Sequence, residues 1–280
     1  MAAKIALAVF TAQQEWQNNP IGTLEKIKEM GYEGVELGLH GDDDHFKAIK
    51  NKLDELNLTA TSTHSMFDDL LINLDMYLDR MKQLNMKYLM TPWMPRECIP
   101  GGSRYEEQKA KIRYVAERCE IEGIKYHFHN HNFEFEKVNG VNKLDIMLQD
   151  IPELYIQFDV CWCVVGGQDP AQYIRHYGHR APTVHMKDFN VPGRPYGNEL
   201  ADLFWEVEGE HADITRERGG FKFQPLGYGQ VDFQPVYEAA DEVGVDWFIV
   251  EQDNSPERPP MEDIKISIDF LKSTYLANKR

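Results

Sequence analysis

The stretch "KYHFHNHNFEF", residues 125–135, places a histidine at every second position and then a glutamate inside an aromatic run. Successive side chains of a strand point to opposite faces, so His127, His129 and His131 are predicted to share one face. The intervening aromatic residues then pack on the other face. We predict a buried strand over Lys125–His131, in which His127 lies deepest and has a structural role.

Seven further apolar runs have the length and composition of buried strands. They are Ile5–Phe10, Gly34–Leu37, Ala60–His64, Tyr88–Thr91, Tyr155–Asp159, Thr183–Met186 and Trp247–Glu251. Helical patterns follow the eight strands in turn, at Leu24–Met30, His45–Leu56, Leu70–Leu84, Tyr105–Ile121, Lys143–Gln149, Ala171–Tyr177, Phe233–Val243 and Met261–Leu276. Eight strand–helix pairs predict an α/β fold, a (β/α)8 TIM barrel, as a single domain over residues 1–280.

An open doubly wound sheet is the alternative architecture. That fold usually has a glycine-rich turn after its first strand, and "FTAQQEW" at residues 10–16 contains no glycine. The barrel is therefore the preferred interpretation.

The interval between predicted strands 7 and 8 is the longest in the chain. It predicts an insertion at about residues 189–226, between strand 7 and helix 7. Loops that follow barrel strands lie on the active-site face, so the insertion is predicted to cover the substrate. A decorative or oligomer-contact loop is the alternative. Arg194 and Arg216 within it are candidates for clamping an anion.

The composition argues against several classes of partner. The chain has 30 Lys and Arg against 46 Asp and Glu, which gives a formal net charge of −16, and such a surface repels a phosphate backbone. No apolar stretch reaches the roughly 18 residues of a membrane span. The four cysteines are too few and too irregular for a disulfide framework. We therefore expect a cytoplasmic protein that binds neither nucleic acid nor membrane.

Polar side chains stand at the predicted carboxyl ends of the strands, where barrel enzymes place their catalytic residues. Asp159, His185 and Glu251 end strands 6, 7 and 8, which are neighbours in a barrel. One histidine with carboxylates suits Mn²⁺, Mg²⁺, Co²⁺ or Zn²⁺. A set of three or four ligands also leaves coordination positions open for substrate oxygens.

Six motifs together carry a resemblance to a known family. They are "GYEGVEL" (31–37), "YHFHNHNFEF" (126–135), "FDVCWCVVGGQDP" (158–170), "VHMKDF" (184–189), "PLGYGQVDF" (225–233) and "VEQD" (250–253). In this combination the chain resembles the sugar phosphate isomerase/epimerase superfamily, with its xylose isomerase-like TIM barrel. The resemblance implies a divalent metal, with Mn²⁺ as first choice, held by one residue from each of strands 5 to 8. The matching positions are His129, Asp159, His185 and Glu251.

Strand 5 is where the sequence departs from that pattern. Many epimerases of the family have a glutamate that binds the metal and also transfers a proton, and His129 stands at its position. His131 and Glu134 remain alternatives for the strand-5 ligand. The same strand resembles that of the inosose dehydratases, which are lyases. The resemblance thus implies a metal-dependent isomerase or epimerase of a sugar or keto-sugar, acting through an enediolate. The alternative is a lyase acting on an inosose or a 3-keto-glycoside.

The resemblance also suggests roles for individual side chains. Glu251 is the first choice for the catalytic base, and His131 or Lys187 for the partner acid. The predicted substrate-binding residues are Glu36, His64, Trp93 and Trp162. The expected partner is a small sugar or polyol, and the sequence allows a homo-oligomer. A DNA-repair endonuclease and an inactive sugar-binding barrel are the weaker rivals.

Overall fold

The polypeptide forms a closed barrel of eight parallel strands in the computed structural model, which describes residues 2–191 and 220–279. The strands, numbered 1 to 8 in chain order, are Lys4–Ala8, Gly34–Glu36, Thr59–His64, Tyr88–Thr91, Lys125–His129, Tyr155–Asp159, Thr183–Met186 and Trp247–Val250. Each barrel strand pairs with the next one, and strand 1 closes the barrel against strand 8. The predicted fold class is therefore confirmed.

Helices follow every barrel strand and cover the outside of the barrel. They are Gln13–Asn18, Pro20–Met30, Asp43–Leu56, Phe67–Gln83, Tyr105–Ile121, Lys143–Asp150, Val160–Val165, Pro170–Tyr177, Phe233–Val243 and Pro260–Thr274. Their ends show ordinary capping chemistry: the Asn19 side chain accepts a hydrogen bond from Gly22 N, and Gly31 ends the same helix in the left-handed conformation. None of the helices described is long and apolar enough to cross a membrane.

The interior of the barrel is apolar at the amino end of the strands and polar at the carboxyl end. Ala6, Tyr88 and Ile249 belong to a small apolar cluster inside the barrel, separate from the large core between strands and helices. His127 stacks between Tyr88 and Tyr155, with ring centroids 5.2 and 5.7 Å away. Burial lowers the pKa of His127 to about 3, so its ring is neutral and serves as packing.

Strand 5 is shorter than the sequence predicts. It ends at His129, and the chain turns into a short 3-10 helix at Phe133–Phe135. The Asn130 side chain hydrogen-bonds the backbone of Asp159 at the position where the next ladder bonds would form. His131 therefore lies in the loop beyond the strand.

An antiparallel strand pair follows strand 7, at the two ends of the predicted insertion. Asp188–Asn190 pairs with Lys222–Gln224, so the chain leaves the barrel and returns to it at one place. Residues 192–219, which include Arg194 and Arg216, lie outside the described residues. The proposed covering and anion-binding roles of the insertion thus remain predictions.

Candidate metal centre

Four side chains converge at the carboxyl end of the barrel. They are His129, Asp159, His185 and Glu251, here called the four-residue cluster, and each offers a ligand atom within 4.8 Å of the others. All four residues are buried. Strand 5 ends at His129 and strand 6 at Asp159, and His185 is the next-to-last residue of strand 7. Glu251 directly follows strand 8. Parallel strands thus bring together the four positions that the sequence analysis named as ligands.

The donor set of the four-residue cluster fits a divalent metal ion. Two imidazoles and two carboxylates are ligands that Mn²⁺, Zn²⁺ and related ions accept. Neither Glu134 nor His131 joins this cluster in the described structure, although both were alternatives for the strand-5 ligand. Glu134 instead accepts a hydrogen bond from His131 N at 2.8 Å.

His185 is held between two carboxylates. Its Nδ1 lies 3.0 Å from Glu251 Oε2 and its Nε2 lies 3.1 Å from Glu36 Oε1. Burial by itself lowers the pKa of His185, but the charges of Glu251 and Glu36 raise it to about 10. A histidine that gives one ring nitrogen to a metal usually donates the other to a carboxylate, and Glu36 is placed for that second contact.

Lys187 brings a buried positive charge to the same place. Its Nζ lies 2.6 Å from Glu251 Oε2, 2.9 Å from Asp253 Oδ1 and 3.3 Å from Asp159 Oδ2. Burial lowers the pKa of Lys187, but the three carboxylates raise it well above its usual value. The side chain is therefore an ammonium group that donates hydrogen bonds. Asp159, Glu251 and Asp253, and not the adjacent Asp188, hold this ammonium.

Glu36 lies beneath the four-residue cluster. It is fully buried, and both carboxylate oxygens already contact protein side chains: Oε1 meets His185, and Oε2 accepts from Ser62 Oγ and Gln157 Nε2, both at 2.7 Å. Burial raises the pKa of Glu36, but His185 and His64 hold it below its usual value. Glu36 is predicted from the sequence to bind substrate, whereas these contacts favour a supporting role for it.

The other predicted substrate residues differ in their accessibility. The His64 side chain keeps 27% of its surface exposed, and its Nδ1 lies 3.8 Å from Glu36 Oε1. Trp93 is half-buried. Trp162 is buried and stacks on Phe221 at 6.2 Å, so in the described structure its ring packs within an aromatic group. His64 and Trp93 thus have exposed surface that a substrate could meet.

His131 lies beside the four-residue cluster, with its ring centroid 5.1 Å from that of His129. Its Nδ1 is buried and has no hydrogen-bond partner among the described residues. Burial and the charge of Lys187 lower the pKa of His131 to about 3, so the ring is neutral. A neutral imidazole in this position can accept a proton or a hydrogen bond.

Sequence reasoning missed the buried amides of the site. Gln157 bridges Glu36 and His129, and Asn130 bonds the backbone of Asp159. The only local signal for Gln157 was a polar residue at an inward position of its strand, which is also common in structural roles, and Asn130 follows the end of strand 5. Asp253 belongs to the "VEQD" motif (250–253) but received no role, because its contact with Lys187 depends on the fold.

The "PLGYGQVDF" motif (225–233) forms a loop whose backbone N–H groups bind the Asp188 side chain. The carboxylate of Asp188 accepts hydrogen bonds from the backbone N–H groups of Phe189, Gly227, Gly229 and Val231, at 2.9 to 3.0 Å. A Cβ atom on Gly229 would lie 2.2 Å from Asp188 Oδ1, so only glycine fits there. The motif is a loop tied to the segment that directly follows strand 7.

The family model described as a xylose isomerase-like TIM barrel matches residues 24–274. Among curated relatives, the inosose dehydratase of Clostridium beijerinckii is 22% identical over 273 residues, which cover 86% of this chain and 88% of that protein. The inosose dehydratase of Lacticaseibacillus casei is 24% identical over 176 residues, covering 61% of this chain. That match spans only 54% of the L. casei protein.

Solved structures share the fold at low sequence identity. A sugar phosphate isomerase/epimerase from Parabacteroides distasonis superposes with a TM-score of 0.72 at 18% identity, covering 98% of this chain and 95% of that one. Other structures with this fold are named as epimerases or as a dehydratase. The neighbours therefore include both reaction classes that the sequence analysis considered.

Proposed function

Because this chain belongs to the xylose isomerase-like TIM barrel family, we propose that it is a divalent-metal-dependent lyase of a keto-polyol or keto-sugar. Its substrate class is an inosose or a 3-keto-glycoside. The observation that carries the proposal is the arrangement of charged groups around the four-residue cluster. Glu251, Lys187 and Asp253 lie side by side after strands 7 and 8, while strand 5 contributes histidines.

The four-residue cluster would hold the ion, with Mn²⁺ as first choice and Mg²⁺, Co²⁺ and Zn²⁺ as alternatives. When bound, such an ion polarises a carbonyl group and makes the neighbouring C–H more acidic. His129 takes the strand-5 position in this set. An imidazole at that position keeps a ligand but removes the carboxylate that would serve as a second base.

Glu251 and Lys187 supply the proton transfers of an elimination. The Glu251 carboxylate takes the proton from the carbon next to the carbonyl, and the C–H electron pair forms the new double bond. The bond between the β-carbon and its oxygen breaks, and the electron pair leaves with that oxygen. Lys187 donates a proton to it, so water or an alcohol departs and an enone remains. The Nζ of Lys187 lies 2.6 Å from Glu251 Oε2, so both groups reach the same side of a substrate.

Epimerisation is the second candidate, and His131 is the observation that favours it. Moving a proton between two faces of a carbon requires acid–base groups on both sides. The His131 ring lies near His129, on the strand-5 side of the cluster, with its Nδ1 free of partners among the described residues. Removal of a proton by the neutral His131 ring on one face of the carbon, with donation of a proton by the Lys187 ammonium on the other face, would invert the carbon. His64 and Trp93 are proposed to contact substrate hydroxyls and a sugar face in either reaction.

Product analysis in D₂O distinguishes the two reactions. The Mn²⁺-loaded protein is incubated with inososes, 3-keto-glycosides and simple keto-sugars. Enone absorbance is followed together with deuterium incorporation by NMR. The lyase proposal predicts enone formation; deuterium in an inverted substrate, with no enone, supports the epimerase instead.

Two variants test the residues of the site in the same assay. Glu251→Gln and Asp159→Asn are expected to lose most of the activity. Glu238→Gln, on the exposed face of the helix Phe233–Val243, is the matched control and keeps it. Full turnover or full exchange in both site variants would contradict the proposal.

A further inference from the structure

Three buried polar side chains form a line that ends at the four-residue cluster. Gln157 Nε2 lies 2.7 Å from Glu36 Oε2, and Gln157 Oε1 lies 3.1 Å from His129 Nδ1. Glu36 Oε2 also accepts from Ser62 Oγ at 2.7 Å. Glu36 and Gln157 are completely buried, so these side chains find their hydrogen-bond partners within the protein.

The order of donors along this line determines which nitrogen of His129 carries the proton. An ionised carboxylate only accepts hydrogen bonds, so the Gln157 amide nitrogen must face Glu36 and its oxygen must face His129. An amide oxygen also only accepts, so His129 Nδ1 must be the donor. The Nε2 atom is then left with its lone pair, 3.8 Å from Asp159 Oδ2 inside the cluster.

Whereas Gln157 reaches from strand 6 to a residue of strand 5, Asn130 follows strand 5 and binds a residue of strand 6. Its Oδ1 accepts from Asp159 N at 3.0 Å, and its Nδ2 donates to Asp159 O at 3.3 Å. Asp159 Oδ1 accepts from Trp162 N at 2.9 Å, which leaves Oδ2 directed at the cluster. The backbone and one carboxylate oxygen of Asp159 are thereby fixed.

We infer that Gln157 and Asn130 are positioning residues that hold two ligands of the proposed metal centre. Gln157 holds His129 as the Nδ1–H tautomer, so that Nε2 is the ligand atom of His129. Asn130 holds the backbone of Asp159. The two strands brace each other because each amide arises from one strand and holds a ligand on the other. The register agrees, since His129 and Gln157 are the last directly paired residues of strands 5 and 6. The inference rests on the proposed metal site for its consequence, but the tautomer itself does not require a metal.

The metal-free wild-type protein provides the first test. Long-range ¹H–¹⁵N NMR correlations of the histidine rings distinguish the two tautomers, and a His129→Asn variant assigns the signals of His129. We expect protonation at Nδ1. Protonation of His129 at Nε2 would overturn the inference, whatever the metal content of the protein.

Gln157→Met provides the second test, because methionine has a similar length but no amide to fix the ring. The variant is expected to mix the His129 tautomers and to weaken Mn²⁺ binding, measured by chelator competition, by about 10- to 100-fold. Gln157→Glu keeps an acceptor against Nδ1 and should keep the Nδ1–H tautomer. The matched control is Gln108→Met, since Gln108 is also buried but lies on the helix Tyr105–Ile121.

The outcomes separate this inference from the proposed function. Mn²⁺ affinity within twofold of wild type in Gln157→Met, together with an unchanged tautomer, would overturn the positioning role of Gln157 while the metal site stands. Wild-type protein that binds no divalent ion would instead overturn the metal site, and the NMR result would still decide the tautomer. If Gln157→Met does not fold, the wild-type spectrum and Gln157→Glu decide the question.

Discussion

At the scale of single residues, the most consequential feature is a lysine among carboxylates. The ammonium of Lys187 touches Asp159, Glu251 and Asp253, two of which belong to the four-residue cluster. A bound ion and this ammonium would share the same carboxylates. In the proposed mechanism, Lys187 would therefore couple the metal centre to proton transfer.

Replacing Lys187 with methionine tests that coupling. We expect Lys187→Met to lower turnover by about 10²- to 10⁴-fold, the usual contribution of a general acid. The loss should be smaller for aryl 3-keto-glycosides, whose leaving group departs without a proton. Mn²⁺ affinity should not fall, because a positive charge beside the ligands has been removed. Lys47→Met at an exposed position is the control, and equal losses for both leaving groups would contradict the acid role.

Glu134 gives a prediction about pH. Burial raises its pKa from 4.5 to about 8, and its Oε1 has no hydrogen-bond partner in the described part of the chain. A raised pKa in the folded state means that the contribution of Glu134 to stability is complete below its unfolded pKa and is lost as the pH rises towards 8. Glu134→Gln removes this dependence.

Urea unfolding at several pH values measures the effect. We expect the unfolding free energy of Glu134→Gln to increase relative to that of wild type as the pH rises from 5 to 8. The gain should be at most about 1.4 kcal/mol per pH unit. A difference between the two proteins that stays constant over this range would show that Glu134 is ionised when folded.

At the scale of elements, Asp188 and Gln230 hold the loop at residues 225–231 to the segment that follows strand 7. Asp188 accepts four backbone hydrogen bonds, three of them from that loop. The carboxylate is completely buried. The loop and the segment that directly follows strand 7 thus form a single unit.

Asp188→Asn is expected to break that unit, because an amide group cannot accept all four bonds. We predict a loss of about 3 kcal/mol in unfolding free energy, as for two charged hydrogen bonds. Gly229→Ala should destabilise similarly through the contact of its Cβ with Asp188. The exposed Asp54→Asn is the control for denaturant unfolding, and a change below about 0.5 kcal/mol in both loop variants would contradict the role.

At the scale of the whole molecule, the four-residue cluster joins four strands that lie far apart in the sequence. An ion that binds only the folded barrel must stabilise it as a whole. We expect Mn²⁺ to raise the unfolding free energy by about 2.7 kcal/mol at a concentration of 100 Kd. Thermal unfolding with and without EDTA measures this shift.

The same measurement on variants shows whether the ion binds where we propose. Asp159→Asn and His129→Ala should remove the Mn²⁺-dependent shift of the unfolding midpoint, and His176→Ala, at an exposed helical position, should keep it. A full shift in Asp159→Asn would place the ion elsewhere.

The sequence by itself determined the barrel and the positions of three of the four converging side chains. Short apolar runs alternating with helical patterns are local signals, and parallel strands necessarily gather their carboxyl ends at one face. This is why Asp159, His185 and Glu251 could be grouped from the sequence, with His129 added by resemblance.

Only the tertiary structure decided how those side chains are supported. Glu36 meets Gln157 from 121 positions away and His185 from 149 positions away, and no local pattern encodes such contacts. The end of strand 5 at His129 likewise depends on Asn130 meeting the backbone of Asp159. Contacts between buried polar groups form only where the closed barrel brings distant strands together, since each group must find its partner away from water.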